Sequence, residues 1–472
     1  MFTTLNKDKR KQVKFLCLDD LVPKDHLLRK VEKLIDFSFV RDEVKHLYCL
    51  DNGRPCIDPE VLVKLVLINY MFGLNSMRRT IRECTVNTAY RWFLGYDIDD
   101  RIPHFSTFGK NYKRKFEGTG LFEKIFERVL NIAIQNNLLD TEAVFVDGTH
   151  VKANANTKRN YQVRIQKEAK QYNKELLKEI NEEREQNGKK PFDDNLPKGG
   201  HSDNTKNITV SKTDPESGLF HKGEHKRCFA YNVQTACDGN NFVLGVHIEK
   251  GNVHDSKAFD GIYKKIKKYK MNALVMDAGY KTPYICKTLI DDKITPILPY
   301  KRPMTKKGYF KKYEYVYDEY FNQYICPNGE LLDYKTTNRE GYKEYKSNRK
   351  DCKDCVEKEF CTVSPQKTIA RHVWEDYMEK AEHIRHTDYG KILYKLRAEK
   401  IERVFADAKE KHNLRYARHI GKKKIEIQVL MTYTCMNIKK IIKMLGNNLD
   451  NLNKKLYSLL KIRIFVFNFN KI

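Results

Sequence analysis

Residues 143–154 read AVFVDGTHVKAN, and the fold turns on this stretch. Ala143 to Val146 form a short unbroken apolar run, the signature of a buried strand. Asp147 ends the run and Gly148 follows at once. A carboxylate at the end of a buried strand is costly unless something positive meets it. The pattern recurs in NALVMDAGY, where Asp277 closes a second apolar run. A third acid, Glu402, stands in KIERVFADAKEKH. There Ile401, Val404, Phe405 and Ala408 make the stripe of a helix with one buried face. Glu402 and Lys409 lie seven apart, so they share a side and flank that stripe. Glu399, Asp407 and Glu410 are the competing acids on this helix.

Between the acids, NITVSKT, CFAYNVQTACD and NFVLGVHIEKGN read as strands, the last two joined by a Gly239-Asn240 hairpin turn. SKAFDGIYKKIKKYK reads as a helix capped by Asp255 or Ser256. A helix from Pro283 and a strand in ITPILPY follow. This order predicts an α/β domain over 141–445 with an RNase H-like mixed sheet, antiparallel strands being continued by parallel ones through helical connections. Two stretches read as insertions. Residues 155–207 hold the charged run YQVRIQKEAKQYNKELLKEINEEREQNGKK, expected as one long polar helix, and then a polar loop. Residues 302–385 are rich in Tyr, Lys and Cys and too long for a loop. A basic tail occupies 446–472.

Residues 1–140 read as a helical N-terminal domain. Leu27, Leu28, Val31, Leu34 and Ile35 recur at helical spacing. Pro59 suits the first turn of a second helix, which Gly73 ends. Ser76 caps the next, Thr85 and Asn87 mark a turn within it, and Ser106 caps a helix bearing Lys110, Lys113, Arg114 and Lys115. Short helices with basic faces suit a DNA-binding helix-turn-helix as well as an ordinary bundle.

Composition narrows the partner. The 89 Lys and Arg against 62 Asp and Glu give a formal net charge of +27, and the pI is about 9.4. A bias toward Lys, Asn and Ile accounts for Lys over Arg but not for the excess of cations, which favours a polyanion such as nucleic acid. The N-terminus lacks the apolar core of a signal peptide, and the longest apolar patch, 61–74, is too short to span a bilayer. The expectation is a cytoplasmic protein whose 12 cysteines are thiols or metal ligands rather than disulfides. Cys326, Cys352, Cys355 and Cys361 include a C-x2-C pair and are candidates for tetrahedral zinc, with plain reduced thiols as the alternative.

Carboxylates on two strand ends and a late helix suit Mg²⁺, which takes oxygen ligands and in pairs promotes phosphodiester cleavage. Each strand-end acid taken singly reads more readily as a turn residue; two on separate strands with a third on a late helix shift the balance. With these motifs the chain resembles DDE-class transposases of bacterial insertion sequences, from Asp19 to about Lys440. The resemblance is to the branch with Asp-Gly-Thr, Asp-Ala-Gly-Tyr and Tyr-Arg-Glu-Lys motifs, and it covers a cysteine-bearing insertion at the place found here. It implies Asp147, Asp277 and Glu402 as a triad for Mg²⁺ or Mn²⁺. It implies Tyr394, Arg397 and Lys409 as contacts to transposon-end DNA. Four residues separate Arg397 from Glu402 where the family has three. The activity implied is metal-dependent strand cleavage and transfer at insertion-sequence ends, on double-stranded terminal repeats and target DNA, by a homodimer on DNA. A nuclease or resolvase without strand transfer is the first alternative. A DNA-binding protein with an inactive catalytic domain is the second, which the presence of all three acids opposes. Residues 154–158 and 415–419 are polar or basic neighbours suited to phosphate contacts.

Overall fold

The computed structural model describes residues 7–48, 56–166, 173–192, 205–222, 226–302 and 305–469. The fold is mixed α/β, with several sheets and many helices. Its strands in chain order begin with β1 (Ala143–Lys152), β2 (Asn160–Gln166), β3 (Thr205–Ser211), β4 (Gly218–Lys222), β5 (Lys226–Cys237), β6 (Val243–Lys250), β7 (Ala273–Val275) and β8 (Thr295–Ile297). The largest sheet runs β4-β5-β1-β7-β8, with β6 also on β5. β5 is antiparallel to β1, β4 and β6, whereas β7 is parallel to β1 and to β8. Antiparallel strands are thus continued by parallel ones.

The unbroken apolar runs explain the parallel half. Ala143 to Val146 and Ala273 to Val275 are buried, as strands covered on both faces require. The helices Asp255–Ile266 and Pro283–Asp291 make the crossovers. Phe259, Ile262 and Ile266 from the first and Ile285 and Leu289 from the second pack into the sheet core. Each such side chain contributes roughly 1.5–3 kcal/mol by leaving water.

Three local expectations need correction. The run 161–190 is not one helix. β2 pairs with β3, and among the described residues of the stretch only Asn173–Gln186 is helical. The alternation of Tyr161, Val163 and Ile165 wins over the helix-forming charges around it. The helix Asp255–Ile266 is capped by His254 rather than Asp255 or Ser256. The helix Phe105–Asn111 is capped by His104 rather than Ser106. In both, a histidine ring nitrogen accepts the free N–H two residues on, the service usually given by Ser or Asp.

A second sheet comprises β9 (Val316–Asp318), β10 (Gln323–Ile325), β11 (Leu331–Thr337), β12 (Tyr342–Ser347) and β13 (Thr368–His372), all antiparallel. It has its own small core of Tyr315, Tyr324, Leu332, Tyr345 and Ile369. Leu176 and Ile180 of the helix Asn173–Gln186 pack on Trp374, just beyond β13, so the two inserted stretches touch each other.

The N-terminal helices enclose a separate core. Asn87 ends the helix Met77–Val86 and caps Thr88–Leu94, as its place in the sequence suggests. The long C-terminal helix Lys422–Phe469 joins the two cores. It gives Ile425, Val429, Leu430 and Tyr433 to the sheet and Met431, Cys435, Ile438 and Ile441 to the helical core. It runs unbroken past residue 446, and 470–472 lie outside the described residues. Among the described residues no helix is long and apolar enough to cross a membrane.

Candidate active site

The parallel register sets the first two acids side by side. Phe145 pairs with Val275, so Asp147 and Asp277 each follow two residues beyond that pair, Asp147 midway along β1 and Asp277 just past the end of β7. Asp147 is still within β1. Asp277 has left β7, and its Oδ1 accepts the Gly279 N–H at 2.8 Å. It is therefore both a turn cap and a neighbour of Asp147.

Glu402 arrives on the late helix. A regular helix Asp388–Arg397 gives way to a π turn, Ala398–Glu402, and then to the helix Arg403–Lys411. A π turn takes up one extra residue, and it falls on the four residues between Arg397 and Glu402. The irregular spacing in the sequence is thereby absorbed. Arg397 Nη1 donates to Glu402 Oε1 at 3.1 Å, and its Nη2 donates to Asp147 Oδ2 at 2.5 Å. One guanidinium spans two of the three acids. The competing acids are engaged elsewhere: Asp407 pairs with Lys411 at 2.7 Å, Glu410 pairs with Arg415, and Glu399 is exposed.

Burial pushes the Asp147 carboxyl up to about 6, opposed by Arg397 and reinforced by the charge of Asp277. The Tyr394 hydroxyl is raised by burial and feels Arg397, Asp277, Asp147 and Glu402. Lys409 Nζ donates to Thr149 Oγ1 at 2.6 Å, two residues beyond Asp147 on the same face of β1. The six residues singled out from the sequence for acid and DNA chemistry thus share one neighbourhood.

A second layer of this site escaped the sequence reading. Asp255 Oδ1 accepts from Asn232 at 2.9 Å and from Gln234 at 2.7 Å. Gln234 Oε1 accepts from the buried Tyr280 hydroxyl. A side chain at Gly148 would collide with this layer, its Cβ falling 2.6–2.8 Å from Gln234, Asp255 and Asn232. The layer ties β5 to the turn after Asp277 and presses on the backbone beside Asp147. Its signal was present in CFAYNVQTACD, where Asn232 and Gln234 alternate with Tyr231 and Val233. On a buried central strand such polar residues need partners.

The cysteine expectation is corrected. Among the described residues no group of three or more His, Cys, Asp or Glu side chains is drawn together to hold a metal ion; this holds for Cys326, Cys352, Cys355 and Cys361 and equally for Asp147, Asp277 and Glu402, two of which Arg397 bridges. Three of these thiols have separate partners instead. Cys326 accepts the Glu330 N–H, Cys352 meets Ser347 Oγ at 3.0 Å, and Cys361 meets the Tyr315 hydroxyl at 3.1 Å.

Comparison with known proteins bears on this arrangement. Residues 16–114 match the family Transposase domain (DUF772), and residues 325–442 match the Transposase DDE domain. The chain functions as a transposase. The second match supports a DNA-cleaving transposase enzyme and makes residues 325–442 similar to the DDE domain. That match takes in Tyr394, Arg397, Glu402 and Lys409 but neither Asp147 nor Asp277. Comparison of the transposase with curated proteins finds no match. A cryo-EM structure of the piggyBac transposase synaptic complex with hairpin DNA is similar over 90% of this chain and 84% of that one, at 9% identity. Its TM-score of 0.27 is too low to bear on fold or mechanism.

Proposed function

We propose that this transposase cuts and joins DNA at the ends of a bacterial insertion sequence, with Asp147, Asp277 and Glu402 as its catalytic acids. In this reading 141–445 is an RNase H-like catalytic domain interrupted by 155–207 and 302–385, and 1–140 is a DNA-binding domain. The protein acts in the cytoplasm as a homodimer on DNA. The observation that carries the reading is the Arg397 bridge from Asp147 to Glu402, with Asp277 on the adjoining strand end.

By its chemistry the donor set suits a hard divalent cation, although the three acids are not drawn together around one metal position. It is made of carboxylates, with the half-buried Asp147 crowded by Asp277 and met by Arg397 and the Gly148 N–H. Asp147, Asp277 and Glu402 would hold Mg²⁺ or Mn²⁺, which activates the attacking oxygen and stabilises the leaving one. Arg397 holds the acids in register before the ion arrives. Tyr394 and Lys409, at the rim of the same cluster, are placed to meet the end DNA. The oxygen that attacks is first water and then the freed DNA 3′ hydroxyl, so no covalent protein–DNA bond is required.

The test is strand cleavage and strand transfer on an insertion-sequence end duplex with Mg²⁺, beside a gel shift. Asp277→Asn is expected to bind and not cut. Cutting at the wild-type rate would refute the triad. Cleavage without joined products would instead identify a nuclease or resolvase.

A further inference from the structure

A second charged cavity lies away from the acids. It measures about 500 Å³ and is lined by Lys400, Arg403, Lys411, Lys439, Lys440 and Lys443, against the single carboxylate of Asp407. Three elements build it: the acid-bearing helix, the tip of the β5–β6 hairpin, and the C-terminal helix. Several of its ammonium groups are held in place. Lys400 Nζ donates to Gly239 O at 2.5 Å, Lys439 Nζ to Met71 O at 2.6 Å, and Lys440 Nζ to Asn240 O. Arg403 and Lys443 are exposed and make no ion pair or hydrogen bond among the described residues.

The helix separates this cavity from the catalytic edge. At about 100° per residue, Lys400, Arg403, Asp407 and Lys411 form a ridge roughly 150° around from Glu402 and Lys409. The stripe Ile401, Val404, Phe405 and Ala408 fills the core side between them. One helix therefore faces the acids on one side and gathers cations on another. Like charges crowded round a cavity repel one another, and Lys440 is disfavoured in its charged form by burial and by Arg403 and Lys400. An anion entering the cavity relieves that repulsion.

We propose that this cavity binds the phosphate backbone of duplex DNA, at a site distinct from the one where the strand is cut. The inference rests on DNA being the substrate. A duplex is a polyanion longer than one active site, and neutralising its phosphates with fixed Lys and Arg releases counterions. Cations already oriented by backbone carbonyls lose little freedom when a phosphate arrives.

The experiment is binding of a random-sequence duplex to the full chain across a salt series, read by fluorescence anisotropy. Arg403→Ala/Lys443→Ala removes the two exposed, unpaired cations and leaves the packed lysines in place. Its plot of log affinity against log salt is expected to flatten by about two units, near one for each phosphate no longer neutralised. Arg403→Glu/Lys443→Glu should flatten it further. A control pair on the five-stranded sheet's flank, Lys350→Ala/Lys353→Ala, should leave the slope unchanged. An unchanged slope in both cavity variants overturns the proposal, and so does equal flattening in the control, which would mean net charge alone. Tripolyphosphate is the last probe. If it binds wild type but not the cavity variant, while the DNA slope stays fixed, the site takes a soluble polyphosphate and the proposal also falls. These readouts are of binding, so loss of the catalytic assignment at Asp277 would leave them interpretable.

Discussion

In the six-stranded sheet, acids far apart in the chain come together. Around the five-stranded sheet, four cysteines of one stretch of chain are not gathered into a group that could hold a metal. Asp147 lies on β1 and Asp277 just past the adjacent parallel β7, strands whose register is fixed by buried apolar runs, so topology delivers them to one place. Cys326 follows β10, Cys352 lies on a short helix after β12, and Cys361 ends another short helix. Nothing in that antiparallel sheet forces these segments to converge. Spacing along a sequence is thus a weaker guide to a site than placement on neighbouring strands in register.

The comparison is broken most directly at Asp277. Asp277→Asn keeps the side-chain oxygen that accepts the Gly279 N–H but removes the charge. Cleavage should fall by about three orders of magnitude or more, the upper scale for losing one group that stabilises developing charge. Binding of end DNA should hold or tighten, because an anion near phosphate has gone. If the variant fails to fold, the turn role of Asp277 is dominant and the two sheets differ less than described.

Tyr280→Phe probes the layer beneath the acids. It leaves Gln234 Oε1 buried without its donor, at a cost of about 1–3 kcal/mol in stability. Cleavage should drop roughly 10–100-fold, as for other supports of a metal-binding side chain. A stability loss with unchanged cleavage would show that the layer supports the fold and not the acids.

The parts of this site readable in the sequence follow from that distinction. Asp147 and Asp277 were legible because each follows a buried apolar run, Val144 to Val146 and Leu274 to Met276, and the two together outweigh the turn reading that each carries singly. Glu402 was legible from the apolar stripe beside it, although the π turn that sets its direction was visible only as one surplus residue. Asp255 was not legible as part of the site. It stands at the first turn of a helix, where acids are common for reasons of the helix dipole. Its partners Asn232 and Gln234 read equally well as the solvent face of a strand. β2 was lost because seven strand residues were embedded in helix-favouring charge, and its partner β3 lies on the far side of a long insertion.

A smaller effect is expected at the rim. Lys409→Ala removes one cation held at Thr149. End-DNA binding should weaken, with the salt dependence flattened by about one unit if Lys409 neutralises a single phosphate. An unchanged slope would assign Lys409 to holding β1 rather than DNA.

The smallest effect is expected in the five-stranded sheet, where it tests the other half of the comparison. Cys352 is half-buried, and its sulfur contacts one hydroxyl, Ser347 Oγ. Serine at that position retains a hydroxyl for the same contact, so Cys352→Ser should cost less than about 1 kcal/mol, the worth of one ordinary hydrogen bond. Incubation with EDTA should leave the melting temperature unchanged. A zinc ion held by four thiolates would behave otherwise, because its binding free energy, of order 10–16 kcal/mol in small zinc domains, is spent in folding. Thermal melting of wild type and Cys352→Ser, each with and without chelator, separates the two cases. A collapse of the melting transition in EDTA, matched by zinc in the purified protein and lost in the variant, would show that these cysteines converge on a metal after all. The two sheets would then be alike in gathering their reactive side chains.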